Sequence, residues 1–170
     1  MKYLLIALAI MLAMTNKAMA ISNNDDVCSI IECKHGSKVM AKPSELLESY
    51  YLCQSKEVAN YIEASTAIIV FQTIDALKKN HLNFTPEISP VTGEPIVDGA
   101  ARNYLDQARK MAGVQSVDEA INLCDKETGI LFFTVLDNQK ELSLSWVADI
   151  QTHKTYWIGN ANLHLLQNPN

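Results

Sequence analysis

Four cysteines constrain the fold of this chain more than any other feature of its sequence. Cys28, Cys33, Cys53 and Cys124 all follow a leader of the kind that directs export. An even number of cysteines in an exported chain predicts two disulfides, for which three pairings are possible. We favour Cys28–Cys33 together with Cys53–Cys124. The segment 21–42 is too poor in apolar residues to pack by burial alone, so a crosslink there would tether it.

Residues 1–20 have the three parts of a cleavable secretory signal peptide. A basic start at Lys2 precedes the uncharged, apolar run 3–14 and the small-residue pattern Ala18-Met19-Ala20. The apolar run is shorter than the ~20 residues that a membrane-spanning helix needs. We therefore predict that the leader is removed and that the mature protein starts at or near Ile21. The mature chain is expected in the periplasm or outside the cell.

The mature chain is acidic. Because Lys2 and Lys17 lie in the leader, 12 of the 14 basic residues remain against 19 acidic ones, which gives a net charge of −7. Such a surface repels nucleic acid phosphates and anionic lipid head groups, so nucleic acid is excluded as a partner. The most apolar later stretch, 67–71, is too short to span a bilayer. No stable membrane insertion is expected after the leader is removed.

A zinc site is the alternative use of the first two cysteines. Cys28, Cys33 and His35 could supply three ligands. Structural zinc sites need four ligands at closer spacing, and an oxidising compartment favours disulfides over metal-bound thiolates. The sequence also has no phosphate-binding glycine loop and no dinucleotide fingerprint. We therefore predict no metal and no cofactor.

Helical signals dominate the first two thirds of the mature chain. The longest predicted helix follows the capping residue Ser55 and extends to about Asn80. Its stretch 67–71 is apolar on all sides, which favours a central core helix over a helix whose second face meets a partner chain. The connection 80–97 is rich in turn residues and is expected to be an exposed loop packed on the body. Three further helices are predicted at 44–53 after the cap Ser44, at 99–112 after Asp98, and from Ser116 through Cys124.

The last third changes to the pattern of β-strands. Residues 130–137 are β-branched and aromatic, 142–151 alternate between apolar and polar, and 155–159 follow a short turn. Short turns predict antiparallel neighbours. The expected fold is α+β, with helices in the N-terminal two thirds packed on a C-terminal three-stranded antiparallel meander. Residues 43–170 are expected to form this single domain.

The first predicted strand is apolar on both faces, which a simple meander does not require. Ile130 and Phe132 lie on one face, and Leu131, Phe133 and Val135 lie on the other. Either the N-terminal segment covers the outer face, or that face meets another chain.

Aromatic residues in the last strand add to this candidate surface. Adjacent strand residues point to opposite faces, so either Tyr156 or Trp157 must point away from the helices. An exposed aromatic beside a sheet edge can anchor a peptide or a glycan. The candidate binding surface comprises Leu131, Phe133, Val135, Tyr156 and Trp157.

No catalytic constellation can be read from the sequence. There is no Gly-x-Ser-x-Gly elbow. Two carboxylate pairs lie at predicted helix starts, where negative charge complements the helix dipole, and a third pair flanks a predicted helix end. The histidines His35, His81, His153 and His164 lie in loops, turns or the tail. We predict no catalytic residue.

The sequence therefore favours a non-enzymatic exported protein that binds another protein or a second copy of itself. An inhibitor or immunity factor, or an accessory subunit of an envelope apparatus, belongs to this class. Two alternatives stay open. One is an exported hydrolase acting on cell wall or peptide, which would need His81 or His153 to meet carboxylates. The other is a binder of a small apolar ligand held between helix and sheet.

Overall fold

The computed structural model describes residues 26–44, 47–79 and 84–166. Three sequence predictions lie outside these residues: the signal peptide 1–20, the start of the mature chain at Ile21, and the position of His81.

A seven-stranded antiparallel sheet forms the body of the molecule. Its strands are β1 Lys38–Ala41, β2 Tyr50–Cys53, β3 Cys124–Glu127, β4 Leu131–Gln139, β5 Leu144–Asp149, β6 Thr155–Gly159 and β7 Leu163–Leu165. Their spatial order is β3-β2-β6-β5-β4-β1-β7.

The prediction of a three-stranded meander is wrong, because the sheet is more than twice that size. The three predicted strands are β4, β5 and β6, which are neighbours in the middle of the sheet. The four additional strands have only three or four residues each. Segments that short do not show an alternating pattern that can be separated from helical spacing.

In the described ranges, three helices follow β2 along the chain: α1 Lys56–Lys78, α2 Gly99–Ala112 and α3 Val117–Asn122. The predicted capping residues Ser55 and Ser116 are confirmed, since each side chain accepts a backbone hydrogen bond in the first turn. The prediction that helices make up the N-terminal two thirds is wrong, because two strands precede α1.

The predicted helix over 44–53 is the main source of that error. Its last residues form β2, in which Tyr50 and Leu52 point to the sheet interior while Tyr51 packs on the opposite side. This alternation is a strand pattern. The predicted helix through Cys124 also ends early, at Asn122, because Cys124 begins β3.

Two disulfides are present, Cys28–Cys33 and Cys53–Cys124. This is the pairing that the sequence favoured. The first closes a short turn in the N-terminal segment. The second joins β2 to β3 where these two strands pair, and therefore fixes the residues before α1 to the residues after α3.

The sheet is strongly curled. Strands β6 and β7 are separated by β5, β4 and β1, so in a flat sheet they would lie about 19 Å apart at a strand spacing of about 4.8 Å. The link between them, Asn160–Asn162, has only three residues and can reach about 14 Å. The two ends of the sheet must therefore bend towards each other.

The curl brings one face of the strands together as a closed interior. Six of the seven strands contribute buried residues to it: Val39, Ala41, Tyr50, Leu52, Phe133, Val135, Val147, Tyr156, Ile158 and Leu163. The disulfide-linked Cys28 and Cys33 pack into the same cluster. The N-terminal segment thus covers the face of β4 that carries Phe133.

Helix α1 packs on the outer face of the sheet, over β2, β6 and β5. Helices α2 and α3 pack against α1 and complete a second core. Its buried members include Val58, Tyr61 and Ile62 of α1, Ala108 of α2 and Leu144 of β5.

Candidate functional site

A groove of about 570 Å³ lies between helix α1 and the curled end of the sheet. One wall is the part of α1 from Glu63 to Ile74. The other wall consists of the N-terminal segment near Ile30, the loop around Pro43, and the link between β6 and β7. We call this recess the α1 groove. Its volume lies within the range of pockets that bind small molecules, roughly 300–1,000 Å³.

Exposed apolar side chains form the rim of the groove. Ile30 is 69% exposed and Phe71 is 72% exposed, and both line the groove together with Leu47 and Ile74. These residues come from three separate segments that meet only in the folded chain. An exposed apolar patch of this kind marks interaction sites in soluble proteins.

Glu63 lies at the floor of the groove, next to the end of β6. A side chain on Gly159 would overlap the Glu63 carboxyl, so the glycine leaves the space that the carboxyl occupies. Helix α1 can approach the sheet closely at this point for that reason.

Burial raises the pKa of Glu63 from 4.5 to about 7, because a carboxylate is less stable away from water. Among the described residues, no positive side chain and no hydrogen bond offsets this effect. Buried carboxylates are usually paired or hydrogen-bonded. Glu63 is partly buried and has no protein partner in the described part of the chain, so its interactions are incomplete in the structure as it stands.

Asn162 is the second incomplete group at the floor. Its side chain is 5% exposed, and its Oδ1 has no hydrogen-bond partner in the described part of the chain. Its backbone oxygen accepts a hydrogen bond from the backbone nitrogen of Lys42 at 3.0 Å, which fixes the β6–β7 link beside the end of β1. A buried acceptor without a donor is uncommon in folded proteins.

His164 also lines the groove, from strand β7. Its Nδ1 lies 3.0 Å from Asp26 Oδ1, and β7 forms a β-bridge with Val27. A histidine oriented by a carboxylate can activate a nucleophile, but no serine hydroxyl bonds to His164 within the residues the structure describes. The Asp26–His164 pair attaches the N-terminal segment to β7.

The five residues of the sequence-predicted surface do not share one exposed face. Phe133, Val135 and Tyr156 lie in the closed interior, and Leu131 packs against it. Phe133 and Tyr156 contact each other edge to face, with ring centroids 6.4 Å apart. Trp157 lies on the other face of the sheet, against the helices.

Trp157 belongs to a smaller aromatic feature on the outer face. Its ring stacks on Trp146, with centroids 6.3 Å apart, and Lys56 Nζ lies 5.6 Å from its centroid. Trp146 is 39% exposed. Lys56 of α1 covers part of the stack.

The loop between α1 and α2 is fastened by a buried carboxylate. Glu94 is 1% exposed and accepts hydrogen bonds from Tyr61 and Arg102, both at 2.7 Å, and from Thr92 at 3.0 Å. Burial alone would raise the pKa of Glu94, but these hydrogen bonds hold it below its usual value. The carboxylate is fully paired, so it stabilises the loop and offers no free group for chemistry.

Of the two histidines proposed for a hydrolase, His153 is exposed in a turn with a positive φ of 60°.

Within residues 26–44, 47–79 and 84–166, no cluster of three or more His, Cys, Asp or Glu side chains could hold a metal ion. No helix in the same ranges is long and apolar enough to cross a membrane.

Comparison of the chain with known protein families, with curated proteins and with solved structures gave no significant match.

The sequence analysis missed the groove residues Glu63, Asn162 and His164. One signal for Glu63 exists in the sequence, because it shares a helical stripe with Ala67 and Val70 and is the charged residue on that stripe. No comparable signal marks Asn162, which reaches the groove only because the sheet curls.

Proposed function

We propose that this chain is an exported, disulfide-stabilised protein that acts by binding another protein, and that the α1 groove is the surface it uses. The two disulfides are compatible with an oxidising compartment. An inhibitor or immunity factor, or an accessory subunit of an envelope apparatus, would act in this way.

The observation that carries the proposal is the exposed rim. A pocket for a small ligand usually encloses 70–90% of its ligand within its walls. Here the apolar surface continues outside the recess, since the side chains of Ile30 and Phe71 stand largely in solvent. A molecule that covers this surface has to fill the groove and also extend over its rim, as a protein segment does. Apolar anchors in a groove are a common mode of peptide recognition.

Binding of a small apolar ligand remains a second candidate, because the volume of the groove suits one. In this alternative the ligand binds at the floor of the groove and makes no essential contact with the rim residues. The two candidates therefore differ in how strongly binding depends on Phe71.

Site-specific photo-crosslinking tests the proposal. The full chain, expressed with its own leader in the native host, carries a photoreactive phenylalanine analogue at position 71 in one variant and at position 111 in the other. Met111 is the matched control, because it is an apolar residue of α2 that is 69% exposed and does not line the groove.

We expect one protein to crosslink to position 71 and not to position 111, and we expect Phe71→Ser to abolish its co-purification while Met111→Ser does not. Crosslinking to a second copy of the chain would identify the partner as a homo-oligomer. The same products from both positions, or no product from position 71, would contradict the proposal.

A further inference from the structure

The floor of the α1 groove presents hydrogen-bond acceptors that lack donors. Glu63 and Asn162 both line the groove, and neither the Glu63 carboxyl nor Asn162 Oδ1 has a hydrogen-bond partner among the described residues. An ionised carboxyl has only acceptor sites, and the amide oxygen is also an acceptor. A group that binds at the floor must therefore supply N–H or O–H donors.

The charges around the floor indicate which kind of hydrogen-bond donor would bind there. Asp26 and His164 face each other at 3.0 Å and satisfy one another. Lys42 also lines the groove but forms no ion pair with Glu63 within the described ranges. The negative charge of Glu63 is therefore left without compensation, in surroundings where an unpaired charge is costly. A positive donor would supply both the charge and the hydrogen bonds.

The α1 wall of the groove is mainly apolar. Ala67 and Val70 follow Glu63 along α1 and lead to Phe71 on the rim. A group that reaches the floor from solvent must pass these side chains, so its stem is apolar and its tip is charged. Lysine and arginine side chains have this construction, with methylene groups that pack on apolar surface and a charged head.

We propose that the partner protein inserts a lysine or arginine side chain into the α1 groove, with its stem against Val70 and Phe71 and its cationic head on the Glu63 carboxyl. This inference rests on the proposed function and specifies the chemistry of the partner: an apolar segment that carries one central cationic residue. The apolar neighbours of that residue cover Ile30 and Leu47 on the rim.

The test uses n-hexylammonium as a mimic of the lysine side chain and n-hexanol as an uncharged probe of the same length. Both are titrated into ¹⁵N-labelled wild-type protein at pH 8.5, and into Glu63→Gln, with amide shifts of the groove residues as the readout. Glu57→Gln is the control for loss of charge, because Glu57 is an exposed carboxylate in the first turn of the same helix.

We expect wild type and Glu57→Gln to bind hexylammonium at least tenfold more tightly than hexanol. In Glu63→Gln this preference disappears while the affinity for hexanol is retained. Equal affinity for the two probes in wild type, a preference that survives in Glu63→Gln, or no shift at groove residues with either probe would overturn the inference.

Lowering the pH to 5 provides a second measurement that needs no variant. The preference of wild type for hexylammonium should fall as Glu63 takes up a proton. Lys42, His164 and Asp26 also border the groove, so Glu63→Gln is titrated in the same series and should show no such fall. A preference that does not change with pH in wild type would count against Glu63 as the receptor of the cation.

The two proposals fail in different ways. If hexanol and hexylammonium bind equally and Phe71→Ser weakens both, the apolar groove remains a binding surface and the cationic specificity is wrong. If the ammonium preference is present but position 71 crosslinks to no protein, the floor binds a cation and the proposed protein partner is wrong.

Discussion

The two halves of helix α1 have opposite surroundings, and the half with the more apolar sequence is the more exposed one. In the half from Lys56 to Ser65, Val58, Tyr61 and Ile62 are almost completely buried. In the half from Thr66 to Lys78, Phe71, Ile74 and Leu77 are exposed by 72%, 39% and 49%. A central core helix was expected throughout, and that expectation is wrong for the second half.

The difference follows from length. Helix α1 has 23 residues and is therefore about 35 Å long. The strands beneath it, β2, β6 and β5, have four to six residues and extend only about 13–20 Å. The helix continues beyond the sheet that it covers. An apolar sequence favours burial of a helix. How much of the helix its own chain can bury depends on the size of the elements that pack against it.

The strongest test of the difference between the two halves of α1 is to make the same isoleucine-to-alanine substitution in each half. Ile62→Ala should lower the free energy of unfolding by about 2–5 kcal/mol, because it leaves a cavity in the core. Ile74→Ala should cost less than about 1 kcal/mol, because the side chain is already 39% exposed. Urea unfolding of both variants measures the difference. Equal losses would mean that the second half is buried in solution, for example by a second copy.

The loop packed against the buried half provides the next test. Glu94→Ala should destabilise the protein by about 3 kcal/mol, since it leaves the Tyr61 hydroxyl and Arg102 without their buried partner. Asp106→Ala is the control, because Asp106 bonds to the same arginine from a side chain that is 48% exposed and should cost less than about 1 kcal/mol.

The contribution of Glu94 also has a defined pH dependence. Its pKa in the folded protein is lower than the ordinary carboxyl value of 4.5. Its stabilising effect is therefore present above 4.5 and is lost as the pH falls through the lower folded value. Thermal unfolding of wild type and Glu94→Ala should converge in that acidic range. A difference that stays constant with pH would argue against a charged Glu94.

Glu63, which lies near the end of the buried half and lines the α1 groove, predicts a smaller effect of opposite sign. Because the pKa of Glu63 is raised from 4.5 to about 7, the protonated carboxyl is favoured by folding. The stabilising effect of protonated Glu63 is fully present below pH 4.5 and is lost as the pH rises to about 7. The shift corresponds to about 3 kcal/mol, and we expect about 2 kcal/mol because Glu63 keeps some contact with solvent.

Glu63→Gln should therefore stabilise the protein at pH 8.5 by about 2 kcal/mol and have little effect at pH 4.5. Thermal unfolding at the two pH values measures this. A variant that is less stable than wild type at pH 8.5 would show that the Glu63 carboxylate already has a partner.

The parts of the fold that the sequence predicted are those with long, regular patterns. The boundaries of α2 followed from Asp98 and Gly113, and strand β5 followed from the alternation in 142–151. Strands β1 and β7 could not be predicted, because both are short and become strands only by pairing with distant segments: β1 with β4 and β7, and β7 with β1. The groove could not be predicted for the same reason: Glu63, Asn162 and Ile30 meet only after the sheet has curled.

The curl also has a consequence for the order in which the chain can fold. Strand β1 is made early, but Lys38 bonds to Thr134, 96 positions later, and Asp26 bonds to His164, 138 positions later. Contacts between distant parts of a chain slow folding, because the intervening loop has to close first. The α1 helix and its Cys53–Cys124 neighbourhood can organise before the last strand exists, whereas the sheet interior closes only when β7 arrives. The C-terminal strand thus completes the folding of the N-terminal one.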